Sequence, residues 1–215
     1  MTGLNGMSLG YTEPGGGESQ LVAAAIAEAG LEANKTITLV PIGPAGPQSL
    51  IALQNDTVQA YSSSFPDVAV LAAQGIEWVD ITPEKYSNVP GTCTVTTEQV
   101  LATEDGMREA TALATAWVGG QYFAIENRDA TLDLVCDTLQ SACENKPVAT
   151  ALFHEAMNLI TPPEGQRPGQ PDLSAWRTVV EILAANGTVP ADLDITPLIS
   201  GEHVKAVVDA AYAEH

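Results

Sequence analysis

Up to about residue 90, short β-branched runs alternate with helical stretches; beyond it only the helical period remains. Met7-Ser-Leu-Gly-Tyr11, Thr36-Ile-Thr-Leu-Val40, Val58-Gln-Ala-Tyr61 and Glu77-Trp-Val-Asp-Ile81 read as strands. Residues 18–29, 47–54 and 65–74 read as helices between them. In the first, Leu21, Val22, Ala25, Ile26 and Ala29 recur at helical spacing and Gly30 is the stop. Pro47 sits in the first turn of the second, and Gly75 ends the third. This βαβαβαβ order predicts an α/β fold, with a mostly parallel sheet carrying helices on its faces.

The remainder reads as helices at 103–126, 129–142, 147–160, 172–186 and 201–213, with a Pro/Gly-rich loop at 161–171. Each has an apolar face: Leu113, Trp117 and Val118; Leu132, Val135 and Leu139; Trp176, Val179, Val180 and Leu183. Helices without strands of their own need a sheet or a second chain to cover such faces.

Charge excludes several functions. The 215 residues hold 8 Lys+Arg against 27 Asp+Glu, a net charge of −19. Nucleic acid needs a basic face to neutralise its phosphates, and anionic lipid attracts cations, so neither is an expected partner. The acidity is spread: residues 1–103 carry 2 basic and 10 acidic side chains, the rest 6 and 17. No apolar run is long enough to span a bilayer, so no direct membrane insertion is expected. The first residues lack the basic and apolar regions of a signal peptide. Three cysteines are too few for a disulfide scaffold, and three histidines leave little for a metal site without carboxylates.

Two loops carry candidate chemistry. Pro14-Gly-Gly-Gly-Glu-Ser-Gln20 lies between a strand and a helix. Gly15, Gly16 and Gly17 let backbone approach a ligand, and a helix start favours a carboxylate, sulfonate or phosphate. The same residues also suit a plain turn capped by Glu18 or Ser19. Tyr61-Ser-Ser-Ser-Phe-Pro-Asp67 follows another strand. Ligands bind outside the carboxyl ends of parallel strands, so Tyr61, Ser62, Ser63 and Asp67 are contact candidates, with Ser64 as a helix cap. His154-Glu155 lacks the second histidine of a zinc-protease helix, and no Ser or Cys nucleophile motif is present.

The order of short motifs resembles a known family. Leu4-Asn-Gly-Met-Ser-Leu-Gly10 with Gly15-Gly-Gly-Glu-Ser19, Ala29-Gly-Leu31, Val40-Pro-Ile-Gly43, Ala52-Leu-Gln-Asn-Asp-Thr-Val-Gln-Ala60 and Phe65-Pro66 follow one another as in ABC-transporter solute-binding proteins. The branch resembled serves nitrate, alkanesulfonates, taurine and thiamine precursors, with the type II periplasmic-binding-protein fold. Thr103-Glu-Asp-Gly-Met-Arg-Glu-Ala110, Ala116-Trp117, Tyr122 to Ala130, Trp176 and Asn186-Gly187-Thr-Val189 resemble its later helices. Asp56 stands where the family pattern has Gly, and Gln59 where it has Asp.

The resemblance implies an α/β second lobe over 1–90 and a helical region over 91–215, the latter a remnant of a first lobe whose own strands would precede Met1. It implies a non-catalytic protein that binds a small organic or anionic ligand without cofactor, serves an ABC permease and works outside the cytoplasm, in the periplasm or its equivalent. A chain lacking part of a lobe is expected to pair as a homodimer. In the oxidising setting the family implies, Cys136 and Cys143 would bridge only if the helix breaks near residues 140–141. On an unbroken helix their Cα atoms would stand about 10.5 Å apart, beyond the roughly 7 Å a disulfide spans, and both thiols would stay free. A second reading is a stand-alone dimer in which His154, Glu155 and His203 meet across a two-fold axis and hold zinc for hydrolysis, for example of phosphoesters.

Overall fold

The chain alternates in β1 (Ser8–Tyr11) because Leu9 and Gly10 point to opposite faces of the sheet. The structure is a computed structural model, and it describes all residues of the chain except Gly17, Asn88, Thr92, Glu214 and His215. The chain forms two compact units. Met1–Val89 with Thr178–Leu193 makes the first; Pro90–Arg177 and the segment from Asp194 onward make the second.

In the first unit β1 is followed by α1 (Ser19–Glu28), β2 (Thr38–Pro41), α2 (Pro47–Gln54), β3 (Ala60–Ser62), α3 (Phe65–Ala73) and the single turn α4 (Glu84–Ser87). The sheet is parallel, in the order β2-β1-β3. Gly10 pairs with Val40 on one side and Tyr61 on the other. Leu9, with Ile26 and Val22 of α1, Leu39 and Ala60, forms the core on one face. Ile42, Ala52 of α2 and Val58 form it on the other, with Val40 and Tyr61 packed against them. A Cβ at Gly10 would stand 2.6 Å from Ile42 Cδ1, so a side chain there would require Ile42 to shift. The α/β reading of this region therefore holds.

The expected strand at 77–81 does not form: these residues have no regular structure and lie outside the sheet. Val79 is 83% exposed. A strand of this composition gains its stability from a neighbour's ladder and a packed face. Here the sheet ends at β3, and Asp80 instead turns its carboxylate onto the Thr82 N–H at 2.8 Å.

The segment 178–193 belongs to the first unit through its packing. Ile182 is 0% exposed and sits among Ala24, Ala25 and Tyr86. Asn186 Nδ2 donates to the Gln20 carbonyl at 3.3 Å, and the Thr188 hydroxyl to Gln20 Oε1 at 3.0 Å.

The second unit is helical: α5 (Glu98–Leu101), α6 (Glu104–Glu126), α7 (Arg128–Thr138), α8 (Lys146–Ile160), the start of α9 (Leu173–Ala185), α10 (Thr196–Ser200) and α11 (Glu202–Tyr212). The Thr103 hydroxyl accepts the Gly106 N–H at 3.1 Å and caps α6, whose first turn carries Glu104 and Asp105 against the helix dipole. Ala114, Val118 and Tyr122, four apart on α6, meet Val208, Ala211 and Tyr212 of α11. The Tyr212 hydroxyl donates to the Pro168 carbonyl at 2.6 Å, and the Arg167 guanidinium lies 5.1 Å over its ring. That ties the Pro/Gly-rich loop to α11. Cys136 and Cys143 are bridged, with Cα atoms 5.3 Å apart, and α7 stops at Thr138 before a 3-10 turn at Gln140–Cys143. Cys93 is a free, exposed thiol.

Candidate functional site

Parallel strands deliver their loops to one end of the sheet. In the first unit these are the loop after β1, the loop after β2 and the short turn between β3 and α3. An order of β2-β1-β3 with α1 and α2 on opposite faces puts the chain's change of direction between β1 and β3. A crevice opens at that point in doubly wound folds.

On the β1 side, the Thr12 hydroxyl donates to the carboxylate of Glu18, the residue that precedes α1. The Glu18 side chain folds back over the loop: a Cβ added at Gly16 would stand 2.9 Å from Glu18 Oε2. Gly15 takes φ +79°, a left-handed turn that glycine adopts without strain. The Gly16 N–H donates to the Glu13 carbonyl at 3.2 Å and the Ser19 N–H to the Gly16 carbonyl at 3.0 Å. Gly17 lies outside the described residues.

On the β3 side, the Tyr61 hydroxyl donates to the Gly43 carbonyl at 2.8 Å, and the Ala45 N–H donates to Asp67 Oδ1 at 2.6 Å. Both bonds hold the loop after β2. Ser49, fully buried, closes the same loop: its Oγ accepts the Gly46 N–H at 2.9 Å and donates to the Pro44 carbonyl at 3.0 Å. Burial above all, then the charge of Asp67, pushes the Tyr61 hydroxyl well above the usual tyrosine range. A Ser63 hydrogen bond pulls it back, and Glu18 adds to the push. Tyr61, Ser63, Asp67 and Glu18 thus share one electrostatic neighbourhood. Ser62 ends β3, and Ser64 precedes α3 in extended backbone without a side-chain cap bond.

Sequence reasoning missed Thr12 and the loop after β2. The available signal was Pro41-Ile-Gly-Pro-Ala-Gly46, glycine and proline gathered at a strand end. Nothing in that run announces that Asp67 and Tyr61 reach it from more than 15 residues away.

His154 and Glu155 are exposed on α8 and His203 is exposed on α11. The Phe153 ring meets His154 edge-on at 6.3 Å. Among the described residues no group of three or more His, Cys, Asp or Glu side chains comes together to hold a metal ion.

A family model described as NMT1-like matches residues 2–139, well over half of the chain. The chain belongs to the NMT1-like family. These are ABC solute-binding proteins of the nitrate, sulfonate and taurine type. No curated protein and no solved structure matches the chain. The NMT1-like match covers every residue of the strand-end site, and in the second unit it runs through α5, α6 and α7. Among the described residues, no helix is long and apolar enough to cross a membrane.

Proposed function

We propose that this NMT1-like protein binds a small organic solute at the strand ends of its first unit and presents it to an ABC permease, outside the cytoplasm. One observation carries the reading. In a chain of solute-binding family, the loops after β1, β2 and β3 are tied together at one end of the sheet: Thr12 holds Glu18, the Gly43 N–H donates to the Thr12 carbonyl, and Tyr61 and Asp67 bond the loop that carries Gly43 and Ala45. Hydroxyls and carboxylates beside a half-buried aromatic ring suit orientation of a small polar molecule. The protein holds its ligand unchanged, and a second copy covers the apolar helix faces of the second unit.

The test is a thermal-shift screen against small organic solutes, among them amines, sulfonates and aminopyrimidines, followed by mass analysis of the recovered ligand. A bound solute should raise the melting temperature, be recovered intact, and lose its effect in Tyr61→Ala. A solute that binds equally well to Tyr61→Ala would place the site elsewhere.

A further inference from the structure

The Cys136–Cys143 bridge and an unbroken α7 exclude each other. On a continuous helix the two Cα atoms stand about 10.5 Å apart. In the structure they are held at 5.3 Å. The helix gives way at one residue. The Leu139 N–H still donates to the Val135 carbonyl at 2.8 Å, as in a helix, but φ −124° and ψ 70° at Leu139 leave it. The chain then turns through Gln140–Cys143, where the Ala142 N–H donates to the Leu139 carbonyl at 2.9 Å.

Nothing in the local sequence asks for that break. From Arg128 to Lys146 there is neither glycine nor proline. Leu132, Val135, Leu139 and Ala142 keep helical spacing across it. Packing does not impose it either: every residue of α7 and of the turn is at least partly exposed, Leu139 by 58%. The bridge is the constraint that ends α7 at Thr138. A small thiol can reach it, because Cys136 and Cys143 are half-buried and Asp137, Ala142 and Glu144 around them are exposed.

We propose that this corner is a redox-sensitive conformational switch. Bridged, α7 stops at Thr138. Reduced, it runs on through Ala142 and carries Leu139 onto the face that holds Leu132 and Val135. Cys143 to Asn145 then remain as the link to α8, of ordinary length for neighbouring helices. Asn145 still caps α8, its Oδ1 accepting the Val148 N–H at 3.4 Å. A dithiol drives the change with two electrons and two protons. Its thiolate attacks one sulfur of the bridge and forms a mixed disulfide. Its second thiol then closes on the first, leaving a cyclic disulfide and two cysteine thiols.

The test follows the whole protein by NMR with dithiothreitol as the reductant. A Cys93→Ser background is used, because the free Cys93 thiol is exposed and would exchange with the bridge. On reduction the Cα and carbonyl carbon shifts of Leu139 to Ala142 should move into the helical range, and return when the bridge re-forms. Cys136→Ala combined with Cys143→Ala should show the helical shifts without reductant. Gln140→Pro separates helix extension from loss of the bridge. Proline suits the first position of the present turn, but in a continued helix it removes the bond from residue 140 to the Cys136 carbonyl. It should abolish the helical shifts. It should also raise the ratio of reduced to oxidised dithiol at half-reduction about fivefold, if Leu139 to Ala142 each propagate the helix by a factor of about 1.5. Non-helical shifts at Leu139 to Ala142 in the reduced protein, or helical ones in reduced Gln140→Pro, overturn the switch. Loss of helical shifts along α7 itself overturns it too, because the bridge would then hold the helix together rather than end it.

Discussion

Asp56 adopts φ +54°, the left-handed region, in the turn after α2. It stands where the family's pattern has Gly, and a Cβ in this region is disfavoured. Asp56→Gly should raise stability by about 0.5 kcal/mol, read from the melting temperature. Gln59, the other departure, ties the same turn to β1. Its Oε1 accepts the Ser8 N–H at 2.9 Å and its Nε2 donates to the Asp56 carbonyl at 2.5 Å. Tyr86 makes a second residue-level prediction. Burial first, then its hydrogen bond to Glu28 and that carboxylate's charge, push its hydroxyl up to about 12. The folded state thus favours the neutral phenol, while the unfolded chain ionises near pH 10. The stabilisation is complete below about pH 10 and is lost as pH rises from there towards 12. Tyr61 shifts in the same direction and adds to the alkaline loss. Urea unfolding at about pH 8 and about pH 11 should show a drop that Tyr86→Phe reduces, at a cost near neutrality of about 1 kcal/mol for the lost hydrogen bond.

At the scale of elements, local pattern decided what a segment can be and its neighbours decided what it became. The periodic stretches at 18–29 and 103–126 are helices within a residue or two, as α1 and α6. The run 77–81 has strand composition and no strand, because an isolated β-branched run has no ladder to join. Residues 139–142 are no continuation of α7. The chain leaves the helix at Leu139 (φ −124°, ψ 70°), and this break brings the two cysteine Cα atoms to 5.3 Å. The loop between the cysteines is short, so the bridge contributes about 2.5 kcal/mol through the unfolded state. Reduction should lower the urea midpoint of the second unit accordingly, and non-reduced peptide mapping should show Cys136 joined to Cys143 with Cys93 free. An unchanged midpoint would mean that the helices hold this corner without the bridge.

At the scale of the whole molecule, the segment after Arg177 shows how sequence order and packing part company. It follows the helices in the chain, yet Ile182 completes the core beside α1 of the first unit. Exposed apolar side chains occur in both units, among them Ile51 and Trp78 in the first. Leu113 and Trp117 on α6, Leu134 on α7 and Leu159 on α8 are exposed, Trp117 by 59%. Burying several such side chains gains about 25 cal/mol per Å², whereas repulsion between two chains of charge −19 is screened beyond about 8 Å in physiological salt. Light scattering at moderate salt should therefore give about twice the 22.4 kDa of one chain. Trp117→Ser should return it to the single-chain mass, and a wild-type protein that stays at that mass would remove the homodimer from the proposal.

The sequence by itself determined the alternation of β1 to α3, the helices that follow, and the two loops at strand ends, because each depends on neighbours within a few positions. The family too was readable there, in the order of short motifs through Phe65-Pro66 and on into α6. Only tertiary structure decided that Ile182 packs with Ala25, that Tyr61 and Asp67 hold the loop after β2, and that Glu18 lies over the glycine turn. The first two join residues far apart in the chain, and for Tyr61 and Asp67 it is the parallel sheet that brings the loops after β2 and β3 to one end.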